Sequence, residues 1–366
     1  GRRIHDFAST GGPRVDCQGT RVIAGLTRRR FIGGMTAFSA VAAAAPGPNL
    51  IRPKALRAGD TVGLITPSSY VSDPDRLALA ERTARYFGLT TKFGKNVRKR
   101  EGYLGGTVEE RLEDLHEMFR DPEVKGVFAI RGGYGASQLL DRIDYDLIRA
   151  HPKVFLGYSD ITALHLAIQK RAGMVTFHGP VTLSRFTPYT QTWFRKALFE
   201  TAPLGRVTNP PDSDPLRPAH TLRAVRPGRA RGALIGGNLT LISTTMGTPY
   251  EIETSGRILF LEDVDEEPYS IDRMLTQLRL AGKLTAAAGV IFGECQDCRP
   301  RDFKPSYEST LSLGEVVDQI LGRLRAPVLS GLTIGHTDDQ LTLPLGVMAE
   351  LDAAKGELVI EEAGVE

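Results

Sequence analysis

The chain has 366 residues, 41% of them hydrophobic and 24% charged, which is the composition of a soluble globular protein of about two domains. Its net charge is +3, but the basic excess lies in the first 45 residues, which contain seven arginines and two acidic residues. The remaining 39 basic and 41 acidic residues give a formal net charge of −2, which excludes the basic surface typical of nucleic-acid-binding proteins.

The first predicted element is an export signal. The sequence "TRRRF" at residues 27–31 matches a twin-arginine motif, and a weakly hydrophobic run over residues 31–45 follows it. This run ends in small residues suited to cleavage and is too short, and too rich in glycine and alanine, to span a bilayer stably. We therefore predict that residues 1–50 are a twin-arginine-type leader of a periplasmic or otherwise exported protein, without stable membrane insertion after processing. The alternative is a flexible basic tail on a cytoplasmic protein.

From residue 61 onward, short apolar runs alternate with helical patterns. Predicted strands cover residues 61–66, 89–93, 126–130 and the apolar run that begins at Val154. Predicted helices cover residues 75–87, residues 136–142 and the segment after a capping box at Thr107 and Glu110. This alternation predicts a parallel sheet with helices on both faces.

A segment rich in proline and arginine, without sustained periodicity, follows this part of the chain. We predict a first α/β domain over residues 51–205, a connection over residues 206–232 and a second domain over residues 233–366. In the second domain we expect strands at residues 258–261, 289–292, 332–334 and 341–343, a helix at 271–281 and a terminal hairpin at 347–360.

Cysteine is scarce. Cys17 lies in the leader, and Cys295 and Cys298 form the sequence "CQDC". A single C-x-x-C lacks the second pair of ligands that a structural zinc site needs, and its position after a strand differs from the thioredoxin pattern. In an oxidising compartment the two thiols can form a disulfide, and two separate thiols are the alternative. We expect neither a metal site nor a catalytic role for this pair.

The segment "VFLGYSDITALHLAIQK" places Ser159 at a corner between a strand and a helix. A serine at a helix start is most often a cap for the first backbone N–H groups. A sharp strand-to-helix turn can instead expose the hydroxyl as a nucleophile and direct helix N–H groups at a developing oxyanion. The G-x-S-x-G signature is absent, so this segment by itself favours the cap.

The sequence "RGGYGA" at residues 131–136 is a second turn between a strand and a helix. It lacks the G-x-G-x-x-G spacing, which argues against a dinucleotide site. The glycines can serve a tight turn with positive φ, or they can allow the backbone at Gly132 and Gly133 to approach a ligand and donate N–H groups. Both interpretations stay open at this point.

Two further residues that could act with Ser159 lie at the ends of predicted strands. Glu262 ends the run "ILFLE", at the edge where sheets typically present site residues, and His336 follows a short strand in "GLTIGHTDD". His178, in "TFHGPV", is the rival candidate for the base. A serine, a glutamate and a histidine at three element ends are the parts of an acyl-transfer triad.

Six motifs occur in an order that resembles one known family. They are "RGGYGA", "LGYSDIT", "FHGP", "LIGGNLTLI", "LFLEDVDEEPYSIDRMLTQLRLAG" and "GLTIGHTDDQLTLPLG". From about residue 53 to residue 359 the chain resembles the LD-carboxypeptidases, the muramoyltetrapeptide carboxypeptidase family. The resemblance implies a first domain similar to class I glutamine amidotransferases, a second domain of mixed strands and helices, and a homodimer. Well-known members are cytoplasmic, so the export signal is a departure from the family.

The resemblance also implies a role for each candidate residue. Ser159 would be the nucleophile, His336 the general base and Glu262 the acid that orients the base. The N–H groups of Gly133 and Asp160 would form the oxyanion hole. With these partners counted, the nucleophile becomes the preferred interpretation of the corner serine.

Three other residues are predicted to help bind the substrate. They are Gly132 in the "RGGYGA" turn and Gly237 and Asn238 in "LIGGN". A Gly-Gly-Asn turn also has an ordinary structural explanation, because these residues are common in turns.

The predicted activity is that of a serine carboxypeptidase that uses no metal and no cofactor. It would hydrolyse the L,D-amide bond before the terminal D-alanine of murein tetrapeptides. One alternative is a microcin-immunity-type peptidase that cleaves a peptidyl-nucleotide amide, which the chain length and the small second domain argue against. Another is a non-catalytic periplasmic murein-peptide-binding protein, which the presence of Glu262 and His336 argues against.

Overall fold

The computed structural model describes residues 50–211, 216 and 218–366. The twin-arginine motif and the apolar run after it lie outside these residues. No helix formed by the described residues has both the length and the hydropathy needed to cross a bilayer.

Strands and helices alternate along the described part of the chain. The strands are β1 (Thr61–Ile65), β2 (Thr90–Phe93), β3 (Val124–Ala129), β4 (Val154–Gly157), β5 (Thr176–His178), β6 (Gly205–Val207), β7 (Arg223–Arg226), β8 (Arg229–Asn238), β9 (Ile258–Glu262), β10 (Gly289–Gly293), β11 (Val328–Leu332), β12 (Leu343–Leu345), β13 (Met348–Asp352) and β14 (Glu357–Ile360). The α-helices are α1 (Pro74–Tyr86), α2 (Val108–Arg120), α3 (Tyr145–Ala150), α4 (Thr162–Ala172), α5 (Pro188–Phe199), α6 (Leu239–Thr244), α7 (Pro268–Leu280), α8 (Lys283–Ala286) and α9 (Leu313–Ile320). Short 3-10 helices span Ala136–Arg142 and Ser159–Ile161.

The first sheet has six strands in the order β12-β5-β4-β3-β1-β2, and β1 to β5 are parallel, as the alternation predicts. The inner strands β1, β3 and β4 are short and largely buried because both faces of the sheet are covered there, whereas the edge strand β2 is polar and partly exposed. In β1, Val62 and Leu64 belong to the core on one face and Ile65 to the core on the other. The carboxyl ends of parallel strands meet at one edge, so the turns after β1, β3 and β4 lie side by side.

Helix α2 begins as the local sequence predicts. The hydroxyl of Thr107 accepts the N–H of Glu110, and the carboxylate of Glu110 accepts the N–H of Thr107, which completes a capping box. Leu112, Leu115 and Phe119 then bury one face of the helix in the core of the first sheet. The cap and this apolar face together define where the helix starts and which side packs inward.

The second sheet has eight strands in the order β6-β14-β13-β8-β9-β10-β11-β7. Its central strands, β8 to β11, are parallel, whereas β6, β7, β13 and β14 pair antiparallel with their neighbours. Strands β13 and β14 form the predicted terminal hairpin. Helix α7 packs Ile271, Leu275 and Leu278 into the core of this sheet. The fold is therefore a mixed α/β fold with two domains.

Several elements differ from the sequence-based predictions. The strand expected at residues 332–334 lies earlier, as β11 (Val328–Leu332), and the helix expected at residues 136–142 is a 3-10 helix. Residues 206–232, expected to be a connection, contain most of β6, all of β7 and part of β8 and so contribute three strands to the second sheet. Strand β7 reads "RAVR" and is largely exposed at the edge of the sheet, so it lacks the apolar run by which strands were predicted. The strand expected at residues 341–343 is β12, and it pairs with β5 of the first sheet, where Leu343 lies opposite His178. Its proline is compatible with this edge position.

Candidate active site

Ser159 lies directly after β4, in the 3-10 turn that leads into α4. Its φ is 63°, in the left-handed region that costs an L-residue about 1–2 kcal/mol. In the described structure neither this turn nor α4 has a side-chain cap, so the hydroxyl of Ser159 does not act as a helix cap. It lies instead 3.0 Å from Nε2 of His336.

His336 and Glu262 reach Ser159 from the second sheet. Glu262 is the last residue of β9 and is 0% exposed, and His336 follows β11. Nδ1 of His336 lies 2.8 Å from Oε2 of Glu262. The nucleophile candidate, the histidine and the carboxylate therefore form one continuous hydrogen-bonded chain across the two domains, with the spacing that proton transfer from a hydroxyl requires.

The environment of His336 affects its proton affinity. Burial by itself would lower the pKa of His336, but the hydrogen bond and the negative charge of Glu262 outweigh burial and raise the pKa above its ordinary value. A hydrogen bond from Nδ1–H to Glu262 also leaves Nε2 unprotonated in the neutral ring, so Nε2 can accept a proton from Ser159.

The turn after β3 approaches Ser159 closely. A Cβ at Gly132 would lie 3.0 Å from Cβ and 3.2 Å from Oγ of Ser159, so the nucleophile candidate packs directly on this glycine backbone. Gly133 has a φ of 115° and lies against Ser69. Among the described residues, no acceptor takes the N–H of Gly133 or of Asp160. Both predicted oxyanion-hole donors therefore stay available to a ligand.

A buried pair of charges holds this turn in place. The carboxylate of Asp160 accepts the N–H of Ala136 at 2.8 Å and is 2% exposed. Arg111, 1% exposed, donates to the carbonyl oxygens of Pro67 and Gly135, both at 2.9 Å. Burial raises the pKa of Asp160, although its hydrogen bonds and the charge of Arg111 oppose the rise. The residue after the nucleophile candidate thereby connects the turns after β1, β3 and β4.

Gly237 and Asn238 end β8 and lie against the start of α4. Gly237 packs on Thr162, and the N–H of Asn238 donates to the Thr162 hydroxyl at 3.0 Å. The side chain of Asn238 donates to Asp263 at 3.0 Å and caps α6 by accepting the N–H of Leu241 at 3.2 Å. These contacts are structural, and a role of Gly237 and Asn238 in substrate binding stays a prediction.

Asp263 is the acid next to Glu262. Burial, followed by the charge of Glu262, raises the pKa of Asp263 to about 6. Its carboxylate accepts hydrogen bonds from Asn238 and from the backbone and hydroxyl of Thr240. Asp263 thus positions the start of α6 beside the site.

His178, the rival base, does not contact Ser159. It ends β5, is 0% exposed, and its ring nitrogens have no hydrogen-bond partner among the described residues. Its ring centre lies 5.1 Å from that of Phe260 and 6.3 Å from that of Tyr158. Burial lowers its pKa well below the ordinary value of histidine, so it is a neutral core residue.

Cys295 and Cys298 form a disulfide in the loop after β10. The carbonyl oxygen of Gln296, between them, accepts the N–H of Asp265 at 3.0 Å, so the loop lies beside the segment that follows Glu262. The described residues contain no group of three or more histidine, cysteine, aspartate or glutamate side chains placed to hold a metal ion.

Three contributions to the site were not predicted from the sequence. Gly335 has a φ of 87°, and a Cβ there would overlap the carboxylate of Glu262, so the backbone before His336 packs directly on that acid. The ring of Tyr158 lies 4.8 Å from the ring of His336 and packs beside it. The burial of Arg111 was not predicted either, because an arginine in a helix is normally exposed to solvent. Of these three contributions, only that of Gly335 could have been noticed in the sequence, because a glycine directly before the candidate base indicates close packing of the backbone.

Comparisons with known proteins agree with this architecture. The LD-carboxypeptidase N-terminal domain matches residues 62–179, and the LD-carboxypeptidase C-terminal domain matches residues 231–351. The chain is 44% identical to the probable murein peptide carboxypeptidase of Bacillus subtilis (strain 168), over 86% of this chain and 95% of the relative.

Solved structures extend the similarity to the fold. The muramoyltetrapeptide carboxypeptidase from Oxalobacter formigenes matches with a TM-score of 0.70 and 30% identity, over 83% of this chain and 98% of that chain. The microcin C7 self-immunity protein MccF, known from Escherichia coli, matches with a TM-score of 0.77 and 28% identity, over 86% and 100%. On this evidence the chain belongs to the LD-carboxypeptidase family.

Proposed function

We propose that the protein is a serine carboxypeptidase that releases the terminal D-alanine of murein tetrapeptides by hydrolysing the preceding L,D-amide bond. The observation that carries this proposal is the hydrogen-bonded chain from Ser159 through His336 to Glu262, with distances of 3.0 and 2.8 Å. A serine hydroxyl with a positioned base and a buried acid behind that base is the arrangement that activates a nucleophile for acyl transfer.

The first half of the reaction forms an acyl-enzyme. Oγ of Ser159 attacks the carbonyl carbon of the diamino acid, while Nε2 of His336 takes the hydroxyl proton. Glu262 stabilises the imidazolium through Nδ1–H, and the N–H groups of Gly133 and Asp160 stabilise the oxyanion. When the carbon–nitrogen bond breaks, His336 gives its proton to the amine of the departing D-alanine.

The second half restores the enzyme. His336 removes a proton from a water molecule, whose oxygen attacks the acyl carbon of the ester on Ser159. The carbon–oxygen bond to Ser159 breaks, the serine oxygen takes the proton back from His336, and a tripeptide with a free carboxylate leaves. The strained φ of Ser159 supports this role, because it exposes the hydroxyl above the start of α4.

The substrate class rests on the names of relatives. The similar proteins of Bacillus subtilis and Oxalobacter formigenes are named for murein peptides. The structural match to a microcin C7 self-immunity protein supports a second candidate, cleavage of an aminoacyl or peptidyl amide that carries a nucleotide.

Product analysis distinguishes these candidates. The purified protein and its Ser159→Ala variant would be incubated separately with murein tri-, tetra- and pentapeptides and with aspartyl sulfamoyl adenosine, and the products weighed by mass spectrometry. We expect D-alanine to be lost from the tetrapeptide by the parent protein and not by the variant. Cleavage of the adenosine compound with no D-alanine release would contradict the proposal and support the second candidate.

We further propose the following domain organisation: residues 51–205 form the first domain, residues 206–232 the connection and residues 233–366 the second domain. We also propose that the first domain is class I glutamine amidotransferase-like and that the protein is a homodimer.

We propose, in addition, that residues 1–50 direct export through the twin-arginine motif. Export is supported by "TRRRF" and the alanine-rich run after it. A reporter that works only after folded export, fused to residues 1–60, should give a signal that Arg28→Lys together with Arg29→Lys abolishes. A signal that persists in this variant would contradict the twin-arginine route.

A further inference from the structure

Two arginine side chains, Arg100 and Arg131, contact Tyr70 after β1, and a third, Arg76, lies near enough to Arg131 to repel its charge. The guanidinium carbon of Arg100 lies 4.3 Å from the centre of the Tyr70 ring, and Nη1 of Arg131 donates to the Tyr70 carbonyl oxygen at 3.4 Å. Burial, followed by the positive charge of Arg76, lowers the pKa of Arg131. Within the described residues, no carboxylate lies at salt-bridge distance from Arg76, Arg100 or Arg131. This arginine cluster is therefore a local excess of positive charge that attracts anions.

Other arginines near the site have partners. Arg185, close to the histidine loop, pairs with Asp338 at 2.7 Å, and Arg111 donates to backbone oxygens around it. Arg131 differs because it is half-buried and its one hydrogen bond to a described residue is long. A guanidinium has five N–H donors, so most of the binding capacity of Arg131 is left for a ligand.

Arg131 is also close to the nucleophile. It directly precedes Gly132, whose Cβ, if present, would lie 3.2 Å from Oγ of Ser159. Since consecutive Cα atoms are about 3.8 Å apart, the Cα of Arg131 lies within about 9 Å of that hydroxyl. Its long side chain can therefore reach a group bound beside the scissile amide.

A carboxypeptidase substrate carries an anion at this position. The carbon of the terminal carboxylate is separated from the scissile nitrogen only by one Cα atom, so it lies beside the reacting carbonyl when Ser159 attacks. A carboxylate and a guanidinium form paired, charge-assisted hydrogen bonds, which are stronger than neutral ones. The half-buried setting of Arg131 strengthens such a pair, because less water competes for it.

We propose that the guanidinium of Arg131 binds the free carboxylate of the terminal D-alanine and thereby restricts hydrolysis to the last amide bond of the peptide. This inference rests on the function proposed above. Arg76 and Arg100 contribute to the positive potential that attracts the carboxylate, and Arg131 makes the direct contact.

The test compares kcat/KM for three substrates in one assay. The first is a murein tetrapeptide with a free terminal carboxylate, and the second is the same peptide ending in D-alaninamide. The third keeps the terminal carboxylate but is amidated at the D-glutamate carboxylate. We expect the parent enzyme to prefer the free acid over the terminal amide by about 10- to 100-fold in kcat/KM. In Arg131→Gln, we expect this preference to disappear because hydrolysis of the free acid falls while hydrolysis of the terminal amide is little changed. Amidation of D-glutamate should not change the effect of the substitution.

Two variants serve as references. Arg131→Lys keeps the charge without the planar fork, so we expect an intermediate preference. Arg185→Gln removes a positive charge from the same region and should keep the preference of the parent enzyme.

Several results would overturn the inference. One is a preference for the free acid that persists in Arg131→Gln, and another is an equal loss on all three substrates in a variant with the thermal midpoint of the parent enzyme. If Arg131→Gln does not fold, a full preference in Arg131→Lys overturns the paired contact. An effect that follows the D-glutamate carboxylate would assign Arg131 to a different anion. Lack of any tetrapeptide hydrolysis by the parent enzyme would overturn the proposed function and this inference together, whereas hydrolysis with an unchanged preference would overturn this inference alone.

Discussion

The two domains hold their parts of the site in different ways. In the first domain, Ser159 is positioned by the backbone: its φ is positive, it packs on Gly132, and the buried carboxylate of Asp160 holds the neighbouring turn. In the second domain, His336 is positioned by a side chain, the fully buried carboxylate of Glu262 at 2.8 Å. Under the proposed mechanism, the first domain would determine where a carbonyl must lie, and the second would determine how readily a proton is accepted.

Removal of the proposed nucleophile should have the largest effect, because the backbone of the first domain positions that hydroxyl. Ser159→Ala should lower kcat for D-alanine release by about 10⁴–10⁶-fold, and a Ser159→Ala, His336→Ala double variant should be little worse, since the two residues act as a unit. Initial rates on the murein tetrapeptide would measure both. Losses that multiply in the double variant would show that the two domains act independently.

Loss of the charge that positions the histidine should have the next largest effect. Glu262→Gln should lower kcat by about 10⁴-fold, because the amide no longer stabilises the imidazolium or its tautomer. In the proposed mechanism neutral His336 is the base, so activity should fall as the pH drops through its pKa. Glu262 raises this pKa, so the acidic limb of kcat/KM in the parent enzyme lies above the ordinary histidine value of about 6.5. In Glu262→Gln that limb should move to lower pH, and a limb that stays in place would contradict the role of Glu262.

Asp160→Asn tests how the first domain positions its part of the site. The amide keeps one acceptor oxygen, but it replaces the other with an NH2 group that cannot accept the hydrogen bonds made to Asp160, and it removes a negative charge near the buried Arg111, which displaces the turn that carries Gly133. We expect kcat to fall by about 10²–10³-fold, as on loss of one oxyanion-hole donor, with a smaller change in KM. The pH limb should stay in place, which distinguishes this variant from Glu262→Gln. Asp338→Asn, an exposed acid near the histidine, is the matched control and should retain parent activity.

The smallest effect is expected from Cys295→Ser combined with Cys298→Ser. The disulfide closes a loop of four residues, so its loss should cost at most about 2 kcal/mol of unfolding free energy. D-alanine release should stay close to that of the parent enzyme, because the loop contacts Asp265 through its backbone and does not contact the triad candidates. A thermal melt and an initial-rate assay would measure both effects. A collapse of activity in folded protein would show that this loop is part of the site.

The sequence predicted most of the local structure and less of the long-range packing. The capping box at Thr107 and the strand-to-helix corner at Ser159 depend on residues close together in the chain, so the local sequence is enough to predict them. The pairing of β12 with β5 joins segments far apart in the sequence, and no local pattern encodes it. The same holds for the contacts of Arg111 and for the positive φ of Ser159, which depend on how three turns meet.

The central claim is that a serine in the first domain and a histidine base in the second act together. The most direct test is the rate of D-alanine release in two histidine variants, His336→Ala and His178→Phe. A base from the second domain predicts that His336→Ala loses about 10⁴-fold or more in kcat, whereas His178→Phe stays near the parent enzyme because the ring of His178 is a neutral core residue. Thermal midpoints would show that both variants fold. The opposite result, an inactive His178→Phe and an active His336→Ala, would place the base in the first sheet and contradict a site formed by both domains.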